Sequence, residues 1–469
     1  MMKSELDGHL QAQGKTGVRP EHPATQRQLP RILGFLDLVL LIVGTVIGSG
    51  IFLVPGVVLR SVGTSLPLAM TAWLAGGVLS LLGALTYGEL SAMNPQAGGL
   101  YIYIRDCFGL LPAFLFGWTL FFVIGAGSVA TLAVAFSNYL GEFIVLTPFM
   151  AKLASVLMIA IIGVVNVCGT RKSANMQNVT TVLKVSAILA MGSALLLLGK
   201  SFAKAPAAPA QLSTGALVSG FGLAMISVLW AYEGWQYATF SAGETLRPGR
   251  NFPLAFLTGS ASLIGIYLFA NCAYVAALGR DGVATSDRVA AAAMSMVLGN
   301  ISGKMVAVTI LISMFSAANA IMLTSPRVCY AMARDGLFFK RLSDVHPRFG
   351  TPAFAVIAAT VWAAVLAVTG TFQQLLTYVV FVGWIFYALA AASIFVYRQR
   401  LPDAERPYRV PGYPFTPLAF VVAAVALVVN TIVSQPVQAA GGLGIVFLGV
   451  PVYFVWRRGA RASGGSAVA

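Results

Sequence analysis

The chain has 469 residues, 58% of them hydrophobic and only 10% charged, where soluble domains run at roughly a quarter charged. So few polar groups cannot wet a soluble surface, which excludes an ordinary globular protein and indicates a polytopic membrane protein. The formal net charge of +15 does not indicate nucleic acid, because the basic residues sit in the short segments between apolar runs and not on one patch interleaved with aromatics.

Residues 1–32 read as a disordered cytoplasmic tail, polar and rich in Gln, Gly and Pro, without the apolar stretch and cleavage site of a secretory signal. Beyond it, runs near the roughly 20 residues needed to cross a bilayer fall at 33–59, 65–92, 112–139, 151–169, 178–199, 213–242, 253–278, 303–330, 352–369, 374–397, 415–434 and 439–456. Twelve transmembrane helices are therefore expected, followed by a second tail at 459–469. With the N-terminus inside, the outer segments hold only Arg60, Lys152, Lys200, Lys204, Arg280, Arg288 and Lys304 of the 30 Lys and Arg residues. The positive-inside rule then puts both termini in the cytoplasm of a plasma (inner) membrane.

Cys107, Cys168, Cys272 and Cys329 lack CxxC spacing and read as small buried packing residues. The three histidines, His9, His22 and His346, lie outside the apolar runs, and neither HExxH nor GxSxG occurs. No enzyme, metal or cofactor is expected. GAGSVA at Gly125–Ala130 echoes a dinucleotide fingerprint but follows no strand, and reads as close helix packing.

Two stretches resist their setting. GTVIGSGIFLVPG, Gly44–Gly56, places Gly44, Gly48 and Gly50 inside the first run, although each glycine costs a helix about 1 kcal/mol. Irregular backbone at membrane depth survives only where it lines a cavity or is buried in protein; the competing reading is a GxxxG packing face. WAYEGWQY, Trp230–Tyr237, puts an acid and a glycine in the middle of the sixth run, where charge is expensive and usually functional. The first and sixth runs correspond if helices 1–5 (33–199) and 6–10 (213–399) are inverted repeats, and interruptions at matching places mark a transporter's substrate site. An opened helix offers N–H groups on one half and carbonyls on the other, so it can hold a zwitterion without charged side chains. The N–H groups around Ser49 and Gly50 are expected to take a carboxylate, and the carbonyls around Trp230 and Ala231 an ammonium.

GTVIGSGIF, TYGELSAMNPQAGGLYIYI, GETLRPGRNFP and TSPRVCYAMARDG, in this order along residues 33–400, together resemble the amino acid-polyamine-organocation superfamily, and within it the L-type amino acid transporters. The resemblance implies an all-α, five-plus-five inverted-repeat fold with discontinuous helices 1 and 6, helices 11 and 12 (410–458) outside the core, and alternating access. It implies a substrate site at Ile47, Gly48, Ser49, Gly50, Trp230, Ala231 and Glu233. Trp230 matches an aromatic that closes over the substrate and is usually Phe; the larger ring suggests small or medium neutral substrates, or simply packs. Glu233 stands where relatives vary among Gly, Ser, Ala and Asp, and either attracts a cationic amino acid or polyamine or braces the break by accepting backbone N–H bonds.

Lys184 lies about two turns into the fifth run and either snorkels to the cytoplasm or, as the resemblance implies, puts its ammonium in a sodium-like place near the Gly44 carbonyl and the hydroxyls of Ser313 or Ser316. Sodium-independent transport follows from the second reading, by exchange or by proton symport. Glu89 and Asn319 read equally as helix clamps or substrate contacts, and Arg327, Arg334 and Asp335 as a cytoplasmic ion-pair network with Glu244 or Glu89. The loop GEFIVLTPFM carries no cysteine, so no disulfide-linked heavy subunit is expected; compact loops suit a bacterial permease acting alone, with a homodimer through helices 11 and 12 left open. A channel would favour a repeated ring of filter residues over one pair of unlike breaks.

Overall fold

The computed structural model describes residues 28–199, 213–299, 301–370, 372–434 and 436–462. Most of the two expected tails lies outside these residues. The described residues are helical apart from loops, with one isolated parallel bridge between Leu33 and Thr245. Among them, nine helical stretches are long and apolar enough to cross a membrane, or ten if one pair bent by 50° counts as a single span.

That pair is α1 (Phe35–Val46) and α2 (Gly50–Ser61). There follow α3 (Leu66–Met93), a short α4 (Leu100–Phe108), and a long span made of α5 (Leu110–Thr119), a π-helical turn at Leu120–Gly125 and α6 (Ala126–Leu140). Next come α7 (Pro148–Val167), α8 (Thr170–Leu198) and α9 (Thr214–Ala231), which gives way to a 3₁₀ helix at Trp235–Glu244. The second half holds α10 (Pro248–Thr285), α11 (Val289–Leu298), α12 (Ile301–Thr324), α13 (Pro326–Arg334), α14 (Ala353–Thr369), α15 (Phe372–Arg400), α16 (Phe415–Ser434) and α17 (Pro436–Ala462). α4 and α11 fall between the expected spans, being too short to register as membrane crossings.

α1 packs against α8, α10 and α12, and α6 against α7, α12 and α14, so α1 and α6 stand in the middle of the bundle. The outer helices keep one wall of exposed Leu, Ile, Val and Phe, as lipid contact demands. Cys107 and Cys329 are buried as expected, but Cys168 is half-buried and Cys272 is exposed, because α10 turns that face outward.

Several buried charges are paired. Arg327 and Glu244, both fully buried, form an ion pair of 2.7 Å, and Thr170 donates to the same carboxylate at 2.8 Å. The rest of the expected network is wired differently: Asp335 pairs with Arg105 at 2.9 Å, and the Arg334 guanidinium lies over the Tyr330 ring. Glu89 is a helix clamp, taking a two-pronged bond from Arg398 at 3.0 and 2.7 Å and the Val410 N–H at 2.6 Å. Asn319 is another, bonding Gln177, Asn166 and Ser173 across α7, α8 and α12.

Candidate functional site

At the first break the backbone stops pairing with itself. Ile47 N–H still reaches Val43 O at 3.0 Å and Gly48 N–H turns back to Val46 O at 2.8 Å. Among the described residues, the N–H groups of Ser49, Gly50 and Ile51 have no hydrogen-bond partner, and the Ser49 side chain does not cap α2. These are the orphan donors of a helix start, where partial positive charge collects. Gly50 is required by contact: a Cβ there would stand 2.9 Å from Ala231 Cβ and 3.0 Å from its Cα. Gly44 is required by α8, since a Cβ would run into the side chains of Gln177 and Thr181. At Gly48, by contrast, a Cβ would meet nothing within 4 Å.

Lys184 does not snorkel. It is fully buried on α8, and its Nζ donates to Gly44 O and Ile47 O, each at 2.6 Å. Ser313 Oγ stands 2.8 Å from Ile47 O and 3.0 Å from Gly48 O and donates to the same carbonyl cluster. A buried ammonium is thus matched to carbonyls that the end of α1 leaves unpaired. Ser316 sits apart from this cluster in its bonding, taking the Gln177 amide at 3.2 Å and lying 3.4 Å from Thr181 Oγ1.

The second break is braced by side chains. Gly234, at φ 128°, makes the turn that other residues resist, and its N–H donates to Gln236 Oε1 at 3.0 Å. Glu233 therefore does not brace the turn as one reading expected; its carboxylate accepts from Tyr387 Oη at 3.1 Å. Trp230 O already accepts the Glu233 N–H at 3.2 Å, and Ala231 O accepts from Tyr267 Oη at 2.9 Å. A carbonyl has two lone pairs, so both retain acceptor capacity. The Tyr267 hydroxyl also stands 3.2 Å from Val46 O, joining the last carbonyls of α1 and α9 through one group.

Between the breaks lies a cavity of about 100 Å³ whose wall includes Gly48, Ser49, Gly50, Trp230, Ala231 and Glu233. Of the residues expected at the substrate, only Ile47 is missing from this wall: its side chain is fully buried and its carbonyl belongs to the Lys184 cluster. The wall also holds Thr45, Ser128, Thr131 and Tyr237, which sequence reasoning did not select. The nearest signal was GAGSVA, read as packing; Ser128 reaches the cavity just after the π-helical turn, an irregularity often found at functional sites.

A family model for amino acid permeases matches residues 33–456. The chain belongs to the amino acid permease family. This permease is 31% identical to a serine/threonine exchanger of Bacillus subtilis over 91% of its own length and 97% of that protein. It is 31% identical to the human cystine/glutamate transporter, covering 97% of this chain and 90% of the relative. With the human b(0,+)-type amino acid transporter 1 it shares 32% identity over 94% of each chain. The family and these relatives are transporters and not enzymes, and the permease is a multi-pass membrane protein.

Proposed function

We propose that this permease is a sodium-independent carrier of small or medium neutral L-amino acids, an exchanger or proton-coupled symporter working by alternating access. In this reading it has twelve spans, the 33–199 and 213–399 halves are inverted repeats, and both termini face the cytoplasm of the plasma (inner) membrane. The orphan N–H groups of Ser49, Gly50 and Ile51 hold the substrate carboxylate, the Trp230 and Ala231 carbonyls hold its ammonium, and Trp230 limits side-chain size.

The observation that carries sodium independence is Lys184: its ammonium occupies the Gly44 and Ile47 carbonyls that an opened helix would otherwise offer to a cation. The test is uptake of labelled alanine, leucine and arginine into proteoliposomes in sodium-free buffer, with and without internal amino acid. Neutral uptake stimulated from inside supports exchange, and uptake that needs an imposed pH gradient supports proton symport. Strict dependence on sodium rejects the Lys184 assignment.

One observation favours a second reading, a carrier of cationic amino acids or polyamines. Glu233 faces the cavity and no ion pair holds its carboxylate among the described residues, so a second positive charge on a substrate could meet it there. Under this reading Glu233→Gln lowers arginine uptake at least tenfold against alanine uptake, whereas an unchanged ratio leaves the neutral-substrate reading standing.

A further inference from the structure

Outside the central site, a groove of about 630 Å³ opens where the start of α10 meets α3 and the segment at Pro407 and Tyr408. Its lining combines the apolar Leu85, Leu254 and Leu257 with Arg247 and Arg250. Leu254 and Leu257 are 41% and 45% exposed near the start of a helix long and apolar enough to cross a membrane. Both arginines are exposed and, among the described residues, neither guanidinium has an ion pair or hydrogen bond. Arg247 holds a left-handed backbone (φ 46°, ψ 57°) just before α10 begins at Pro248, an uncommon conformation for a residue with a side chain.

No carboxylate is among the groove's described lining residues, and the nearby Glu89 is engaged elsewhere. Glu89, close enough to Tyr408 to act on it electrostatically, is buried and engaged by Arg398, with Arg406 at 3.6 Å. What remains is two cations without an ion pair among the described residues, beside an apolar surface at the start of a membrane-spanning helix, a combination that suits a lipid headgroup and its chains.

We propose that this groove is a binding site for one anionic phospholipid, its phosphate beside Arg247 and Arg250 and its acyl chains along Leu85, Leu254 and Leu257. A zwitterionic lipid carries its own cation and gains less from two arginines, while a free phosphate would make no use of the apolar wall. The assignment depends on membrane placement and not on which amino acid is carried, so it can fail while the transport reading stands, and the reverse.

The test is native mass spectrometry of the purified, delipidated full chain titrated with phosphatidylglycerol and, separately, phosphatidylcholine. The wild type is expected to retain phosphatidylglycerol preferentially. The double variant Arg247→Gln/Arg250→Gln should lose that affinity by about thirtyfold, two interfacial charges contributing roughly fivefold each, with phosphatidylcholine binding unchanged. Arg247→Lys/Arg250→Lys, which keeps both charges, should retain most of the preference and controls for folding. Equal retention of the two lipids by the wild type, or undiminished phosphatidylglycerol binding by the Gln variant, overturns the proposal. So does full displacement of the lipid by millimolar inorganic phosphate, which would make the arginines a soluble-anion site.

Discussion

The two breaks satisfy their freed backbone carbonyls with different partners. At the first, the N–H groups of Ser49, Gly50 and Ile51 stay empty among the described residues, and the carbonyls are taken by distant side chains, Lys184 and Ser313. At the second, Gln236 satisfies the Gly234 N–H, Tyr267 the Ala231 carbonyl, and the chain runs on as a ten-residue 3₁₀ helix whose Trp235 and Gln236 N–H groups have no hydrogen-bond partner among the described residues. The difference teaches that a helix break can satisfy its carbonyls with a buried cation from another helix or with neutral groups, and that either way it leaves backbone donors over. Tyr267 links the two, so geometry set at one break reaches the other through a single hydroxyl.

The contrast can be broken most severely at the contact between the halves. Gly50→Val drives branched carbon into Ala231, which already stands 2.9 Å from the missing Cβ. Forced apart by even an ångström, the site should lose on the order of a hundredfold in proteoliposome uptake; near wild-type uptake would show that the α2–α9 contact is not needed for transport. Next in size is Lys184→Met, which removes the ammonium but keeps the apolar stem. Ile47 O retains Ser313, so the Gly44 carbonyl is the group left without its donor. The expected cost is about 1–3 kcal/mol, read as a lower thermal unfolding midpoint in detergent together with reduced uptake.

Tyr267→Phe sharpens the comparison by cutting the link alone. The ring still packs against Trp73 and Tyr232, and one hydrogen bond of about 1 kcal/mol is lost. A KM raised about fivefold with little change in unfolding midpoint is expected, and a large stability loss instead would make Tyr267 purely structural. Gly48→Ala should do least, since a Cβ there meets nothing within 4 Å. The methyl protrudes into the cavity, so the folded protein is unaffected while KM rises a few-fold for leucine and less for alanine; equal shifts would place the substrate side chain elsewhere.

Much of this was legible in the chain. Apolar runs long enough to cross a bilayer, the glycines of GTVIGSGIF and the acid in WAYEGWQY are local signals: hydrocarbon cannot hydrogen-bond backbone, so anything that interrupts a span must be there for a reason. Lys184 stood out for the same reason, a charge at depth. The four motifs likewise carried the family, which residues 33–456 bear out.

Only the tertiary structure decided which partner each polar group takes. Glu89 was free on sequence to meet Arg327 and instead met Arg398, while Glu233 was free to brace its own turn and instead met Tyr387. Thr45, Ser128, Thr131 and Tyr267 sit in helices apolar on nearly every side, which leaves no periodicity to tell the inward face from the lipid face. A sequence lists the polar groups a membrane interior must satisfy; which ones meet depends on how helices far apart in the chain are rotated and stacked, and that is a property of the packed bundle alone.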